Sequence, residues 1–331
     1  MGRIRVNWMW RLLSTIWLAV ATGATAAAAG PAAEYPAKPV RIITASPGTL
    51  MDVVARHVGQ RLAQRWGQSV VVENKGGAAF TIGMTTAAQA KADGYTLVMS
   101  DRTSVAAAPH LYKELAYDPL RDFAPIAMVA LAPLVLVAHP SLPAGNMREL
   151  VEYARHHAGL HFGSQGMSTT GHYAGELLRV ETGIAPEYVH YKGAADAQRA
   201  ILGGEILVGF NNAPSTYSLV HAKRLKAFAV TSPHRIAAAP EIPTTAEAGY
   251  PGVLVEYWVG MLAPKATPAE LVAKINRDVT AIMQTPEVRQ VLLQQGAEAA
   301  PSATPAEFGA RIRSDFARSK ADFERIGFQA E

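Results

Sequence analysis

Short apolar runs alternate with longer amphipathic ones along most of this chain, and that alternation limits the fold more than any other feature. The apolar runs are Val40 to Thr44, Val70 to Glu73, Thr96 to Met99, Leu134 to Val137, Leu160 to Gly163, Glu187 to His190, Ile206 to Phe210 and Ala227 to Thr231. Helical patterns lie between them over Asp52 to Trp66, Thr81 to Ala90, Met147 to His157, Gly171 to Thr182 and Ala195 to Leu202. Strand and helix in turn imply parallel sheets with crossover helices, so the expected class is α/β. At 331 residues the chain exceeds the size at which a single core stops growing, about 250 to 300 residues, which favours two lobes.

The last quarter is punctuated differently. Thr267-Pro268-Ala269-Glu270, Thr285-Pro286-Glu287 and Thr304-Pro305-Ala306-Glu307 each predict a helix start, with Thr as cap and Pro at the first helical position. Asn146 with Glu149 predicts a further start. In the final helix Phe308, Ile312, Phe316 and Phe323 fall on one stripe, so it should pack on the core. Arg311, Arg313, Arg318 and Lys320 lie mostly off that stripe and are expected on a solvated face.

The first 26 residues read as a secretory signal. Arg3, Arg5 and Arg11 precede an apolar run from Leu12 to Val20 and an Ala24-Thr25-Ala26 cleavage pattern. Ser14, Thr15, Thr22 and Gly23 interrupt the run, against a membrane span of about 20 apolar residues. Losing the three arginines takes the formal charge from +4 to +1. A nearly neutral chain without a basic cluster argues against nucleic acid as a partner. With no cysteine, disulfide staples, thiol nucleophiles and thiolate metal sites are excluded.

Two stretches run from a strand pattern through a Ser/Thr/Gly loop into a helix: Ile42 to Thr49, and Phe162 to Gly171. Such loops point backbone N–H groups and hydroxyls at a helix N-terminus, where an anion is favoured. Facing one another, they would grip a carboxylate. No nucleophile elbow, P-loop or dinucleotide fingerprint occurs, and Gly159 separates His156 and His157 from His161, so they cannot share a metal-binding helix face. His172, at the second helix start, is expected to cap or pack. No catalytic residue, metal or cofactor is expected.

A series of fragments resembles the Bug family, the extracytoplasmic solute receptors of tripartite tricarboxylate transporters. Tyr35-Pro36-Ala37-Lys38-Pro39-Val40-Arg41, Glu73-Asn74-Lys75, Ile82-Gly83, Asp93-Gly94-Tyr95-Thr96-Leu97, Tyr117-Asp118-Pro119 and Asp122-Phe123-Ala124-Pro125 carry it in the first half. His172-Tyr173-Ala174-Gly175-Glu176-Leu177, Tyr191-Lys192-Gly193, Leu202-Gly203-Gly204, Ala229-Val230-Thr231-Ser232 and Pro243-Thr244-Thr245-Ala246-Glu247-Ala248-Gly249 continue it. The resemblance implies a periplasmic, two-lobe Venus-flytrap receptor of the type II binding-protein class, each lobe a mostly parallel sheet flanked by helices. It also implies a small organic anion as ligand, permease subunits as membrane partners and action as a monomer. Lobe one is expected over 35–134 with 234–331 and lobe two over 135–233, the chain crossing near Ala132 to His139 and near Ala229 to Arg235. The alternatives are a periplasmic hydrolase or isomerase on a similar fold, and a receptor that presents its ligand to a membrane sensor.

Carried over residue by residue, the resemblance places the ligand at Ser46, Gly48, Thr49, Thr81, Asp101, Ser164, Ser168, Thr169, Thr170, Gly193 and Asn211. Several positions depart from the family pattern. The first loop, Ala45 to Asp52, has one glycine and no aromatic residue; Phe80-Thr81 stands where Gly-Asn is usual; Met167-Ser168 replaces Asn-Gly. Asp101-Arg102 stands where small hydroxyl residues are common, and an internal Asp101 to Arg102 pair or a nearby surface pairing is the expected fate of Arg102, a carboxylate clamp the alternative. Asn211 replaces an acid that could meet a ligand ammonium, which points to a non-amino or aromatic acid.

Overall fold

A computed structural model describes residues 34–157, 159–164, 166, 169–191, 193–236 and 239–328. The predicted signal at residues 1–26, and Ser168 of the second loop, lie outside the described residues.

The first elements are β1 (Val40–Thr44), α1 (Leu50–Trp66), β2 (Val70–Asn74), α2 (Thr81–Ala88), β3 (Thr96–Asp101), α3 (Ala108–Leu111) and β4 (Phe123–Ala138). There follow α4 (Met147–His156), β5 (His161–Ser164), α5 (Thr170–Thr182), β6 (Glu187–His190), α6 (Ala194–Leu202), β7 (Val208–Asn212), α7 (Ala213–His221) and β8 (Lys226–Val230). The chain ends with β9 (Glu256–Pro264), α8 (Ala269–Met283), α9 (Pro286–Gln294), β10 (Glu298–Ala299) and α10 (Pro305–Ile326).

Helix α1 shows why the local pattern works. Thr49 Oγ1 accepts from the Asp52 N–H at the start, Gly67 ends the helix with φ 65°, and Met51, Val54, Ala55, Val58 and Leu62 form the buried stripe. At the tripartite Thr-Pro starts the outcome varies. Thr304 caps α10 as expected, accepting from Glu307 N at 3.1 Å. Thr285 instead donates to Ile282 O at 2.8 Å, and α8 begins one residue late with Pro268 in the cap position.

Strands run in the order β2-β1-β3-β9-β4-β7-β5-β6, with β8 and β10 also paired to β4. The parallel parts are β2-β1-β3 and β6-β5-β7; β4 and β9 pair antiparallel with their neighbours, so both sheets are mixed. Strand β4 is 16 residues long and belongs to both sheets. Its second half is covered on both faces, Leu134 and Leu136 facing one apolar cluster and Val135 and Val137 another, which explains its unbroken apolar reading.

Two lobes result. The first core gathers Ile42, Leu97, Trp258 and Phe308, and Gly260 leaves room for the Phe308 ring, which a Cβ there would approach to 2.2 Å. The second lobe is built on Leu136, Phe162, Leu177 and Phe210 on one side of its sheet and Val135, Ile201, Ile206 and Val230 on the other. The chain passes from one core to the other between Ala132 and Leu134. It comes back between Val255 and Trp258, later than the expected 229–235, because Ile236, Ala239, Ile242, Val253 and Val255 are buried in the second lobe. Helix α10 joins the two lobes a third time, with Phe308 and Ile312 in the first core and Phe323 and Ile326 packed on the second. Its Arg311 departs from the expected solvated face: it donates to Asp315 at 2.7 Å and Glu256 at 3.0 Å.

Candidate functional site

A cavity of about 490 Å³ opens between the lobes. Ser46, Gly76, Phe80, Asp101 and Tyr257 border it from the first lobe. Thr169, Thr170, Gly171 and Asn212 border it from the second, and Leu134 lies where β4 leaves one core for the other. Both Ser/Thr loops therefore reach one space.

On the second wall, Thr169 caps α5: its hydroxyl donates to Gly166 O at 2.8 Å and accepts from His172 N at 3.4 Å. Thr170 and Gly171 both border the cavity from the first turn of α5, where N–H groups have no intrahelical acceptors. Helix α5 approaches β7 closely here, since a Cβ on Gly171 would stand 3.3 Å from Phe210 O.

The first wall is built differently from what the sequence suggests. Asp52 folds back onto its own loop, accepting from Gly48 N at 3.0 Å, from Asn74 Nδ2 at 2.7 Å and from Arg56 Nε at 3.1 Å. Burial pushes its carboxyl up, but the bonds from Arg56, Asn74 and Gly48 outweigh burial and leave it below the ordinary 3.8. The Gly48 amide is thus already satisfied by an internal carboxylate. Neither Gly48 nor Thr49 borders the cavity; Ser46 does, and Thr49 Oγ1 donates to Ser46 O at 2.8 Å.

Of the other nominated residues, Asp101 borders the cavity and accepts from Ser104 N at 2.8 Å, Ser104 Oγ at 2.7 Å and Tyr257 Oη at 3.0 Å. Burial raises its carboxyl above the ordinary value, against the downward pull of those bonds and of the Arg102 charge. Thr81, Ser164, Gly193 and Asn211 lie off the cavity wall. Thr81 is the first residue of α2, behind Phe80; Gly193 caps α6; Ser164 Oγ exchanges 3.2 Å bonds with the Gly166 backbone and shapes the turn. Asn211 is buried and its neighbour Asn212 takes the cavity position, because successive strand residues face opposite sides.

Sequence reasoning missed Gly76, Gly77, Phe80, Tyr112 and Tyr257 on this wall. The Gly76-Gly77 doublet was the readable signal: Gly77 has φ 105°, and a Cβ on Gly76 would come 2.1 Å from Ser46 Oγ. Ala79 (φ 51°) and Phe80 (φ 70°) are held in the left-handed region on the same wall, a strained conformation of the kind that collects at functional sites. The histidines stay apart: His157 stacks on Tyr153 with centroids 3.9 Å apart, and His161 pairs with Glu187 at 3.2 Å. His172 packs against Tyr188 and has a buried Nδ1 without a partner among the described residues; burial lowers its pKa, against the opposing effect of Glu176.

Two α/β lobes joined through shared strands, with a loop-lined cavity between them, define the architecture of periplasmic binding proteins. The chain belongs to the tripartite tricarboxylate transporter family of receptors, whose family model matches residues 54–327. It is 34% identical over 292 residues to the protein BugT of Bordetella pertussis, covering 87% of this chain and 89% of that one. The solved periplasmic binding protein BugD is 32% identical, with a TM-score of 0.73 over 90% of this chain and 100% of its own. An R. palustris protein solved with adipate is 30% identical, with a TM-score of 0.76 and coverage of 90% and 100%. MatC from Rhodopseudomonas palustris, solved with bound malate, is 28% identical, with a TM-score of 0.72 and coverage of 87% and 99%.

Proposed function

We propose that this chain is a periplasmic receptor that captures a small carboxylate between its lobes and delivers it to a membrane permease, without transforming it. The observation that carries this reading is the meeting of Ser46 and the Thr169-Thr170 helix start across one cavity. First-turn N–H groups and hydroxyls there suit a carboxylate, each charge-assisted bond contributing about 1.5 to 3 kcal/mol net. A few such bonds reach the roughly 8 kcal/mol of a micromolar complex. Similar proteins solved with adipate and with malate support the same ligand class.

Binding without catalysis fits the residues bordering the cavity. Asp101 is committed to Ser104 and Tyr257, and no histidine borders the cavity among the described residues. No helix among the described residues is long and apolar enough to cross a membrane, in keeping with a receptor that meets its permease from outside. The ligand contacts we favour are Ser46, Asp101, Thr169, Thr170 and Asn212, and we assign the lobe boundaries to 133 and 256.

Calorimetric titration of the purified protein with mono-, di- and tricarboxylates, using amino acids as controls, tests the reading. Saturable binding of at least one carboxylate, recovered chemically unchanged, is the expected result. Heatless titrations throughout, or turnover of the bound acid, would overturn it.

A further inference from the structure

A second cavity, of about 320 Å³, is also bordered by the Thr169-Thr170 helix start. It shares Thr103, Thr169 and Thr170 with the cleft, so the two spaces adjoin across three residues. Much of its wall is apolar, contributed by Ala107 and Leu111 from the first lobe and by Phe323, Ile326 and Phe328 at the end of the chain. Arg102, His172, Tyr173 and Glu176 also border it.

Arg102 is 4% exposed, yet it has no carboxylate partner among the described residues. Its Nη2 donates to the neutral Ser319 Oγ at 2.9 Å, and its guanidinium lies 5.0 Å from the centre of the Tyr173 ring. The nearby acids are taken by others. Glu176 is held by Arg179 at 2.8 Å, and Asp322 accepts from Tyr173 at 2.7 Å and pairs with Arg325 at 3.5 Å. Glu256 and Asp315, across a smaller space that Arg102 also borders, are both held by Arg311. Asp101, next in sequence, is bound by Ser104 and Tyr257. A guanidinium carries five donors and cannot give up its charge, so burying it without a counter-ion is costly. An anion arriving from the cavity would remove that cost.

We propose that the second cavity is the distal half of the ligand site and that this chain selects an elongated dianion. One carboxylate sits in the cleft at Thr170, an apolar body fills the space between Leu111 and Phe328, and the second anionic group meets Arg102. The proposal rests on the carboxylate reading of the cleft, and its test separates the two.

The test titrates the full protein with straight-chain dicarboxylates from butanedioate to decanedioate, beside the matching monocarboxylates. Affinity should peak at a dicarboxylate longer than butanedioate and exceed that of the monoacid of equal length by about tenfold. Arg102→Met should bring that ratio to about twofold or less while leaving butanedioate binding in place; Arg102→Lys should keep part of the advantage. Because Arg102 is buried, Ala107→Leu serves as a second variant that fills the cavity and keeps the charge. It should cost the long dicarboxylates about tenfold and spare butanedioate. Equal affinities for long mono- and dicarboxylates, or a ratio unchanged in both variants, would overturn the distal site alone. If no carboxylate of any length binds, the cleft reading fails and the distal site with it.

Discussion

The Tyr173 hydroxyl donates to Asp322 Oδ2 across 2.7 Å and so bonds α5 of the second lobe to the end of α10, whose beginning is buried in the first. Two further contacts reinforce the junction: Arg179 donates to Ile326 O at 3.2 Å, and Arg325 pairs with Glu181 at 3.2 Å. The helix that starts at the cavity is thereby fixed from behind by the last helix of the chain.

Tyr173→Phe keeps the ring and deletes the donor. We expect a loss of about 1 kcal/mol of stability in denaturant unfolding, with Asp322 still paired to Arg325. A change below the error of the measurement would show that the bond carries no net weight.

Thr170→Leu places a branched apolar group where the first turn of α5 meets the cavity. Carboxylate affinity should fall at least about tenfold in calorimetry, while the melting temperature stays within a few degrees, because Thr170 is only half-buried and outside both cores. Unchanged affinity would place the ligand elsewhere.

Asp52 has a folded pKa below the ordinary 3.8, so its contribution to stability is complete above that value and is lost as the pH falls through the folded value. Acid unfolding of the wild type should steepen below about pH 3.8, and Asp52→Ala should weaken that limb. At neutral pH the variant should be less stable by about 1 to 3 kcal/mol, since the Gly48 amide and Asn74 lose their acceptor.

Asp101 is shifted the opposite way. Its folded pKa is raised, so the neutral form persists above 3.8, and the stability linked to that form is lost as the pH rises through the folded value. Beside an anionic ligand the charged form repels. Carboxylate affinity should therefore weaken as the pH rises above the ordinary value, and Asp101→Asn should bind several-fold tighter at pH 8 with a flatter profile. A parallel pH profile in wild type and variant would exclude Asp101 from the ligand's surroundings.

Gly76→Ala introduces a methyl group 2.1 Å from Ser46 Oγ and 3.1 Å from Ser46 N. The Ser46 hydroxyl must move, and affinity should drop several-fold by calorimetry with the fold intact by circular dichroism.

Much of the architecture was legible because periodicity and caps act locally. Asn146 and Thr304 each accept the N–H three residues on, as their spacing implied. Strand β9 was not read, since its pairing with β3 and β4 is fixed by contacts more than 100 residues apart. The site was harder for a related reason. Asn211 and Asn212 differ by one step on a strand, and only the register of β7 against β4 decides which one reaches the cavity. Gly48 has the sequence of an anion-binding amide, but the carboxylate four residues later occupies it. For Arg102 the sequence implies a pair with Asp101 or with a nearby surface group; the strand end turns Asp101 toward Ser104 and Tyr257 and Arg102 toward Ser319.

The place of β9 has a consequence for how such a chain comes into being. In the finished sheet it lies between β3 and β4, yet it is the last of the three to leave a ribosome. Until residues 256–264 arrive, the earlier half holds an open seam with unpaired backbone on both banks, while the later half can already close around β4 through β8. Maturation is therefore expected to run against the order of synthesis, the second-made half setting first and the nascent front end waiting for its missing strand.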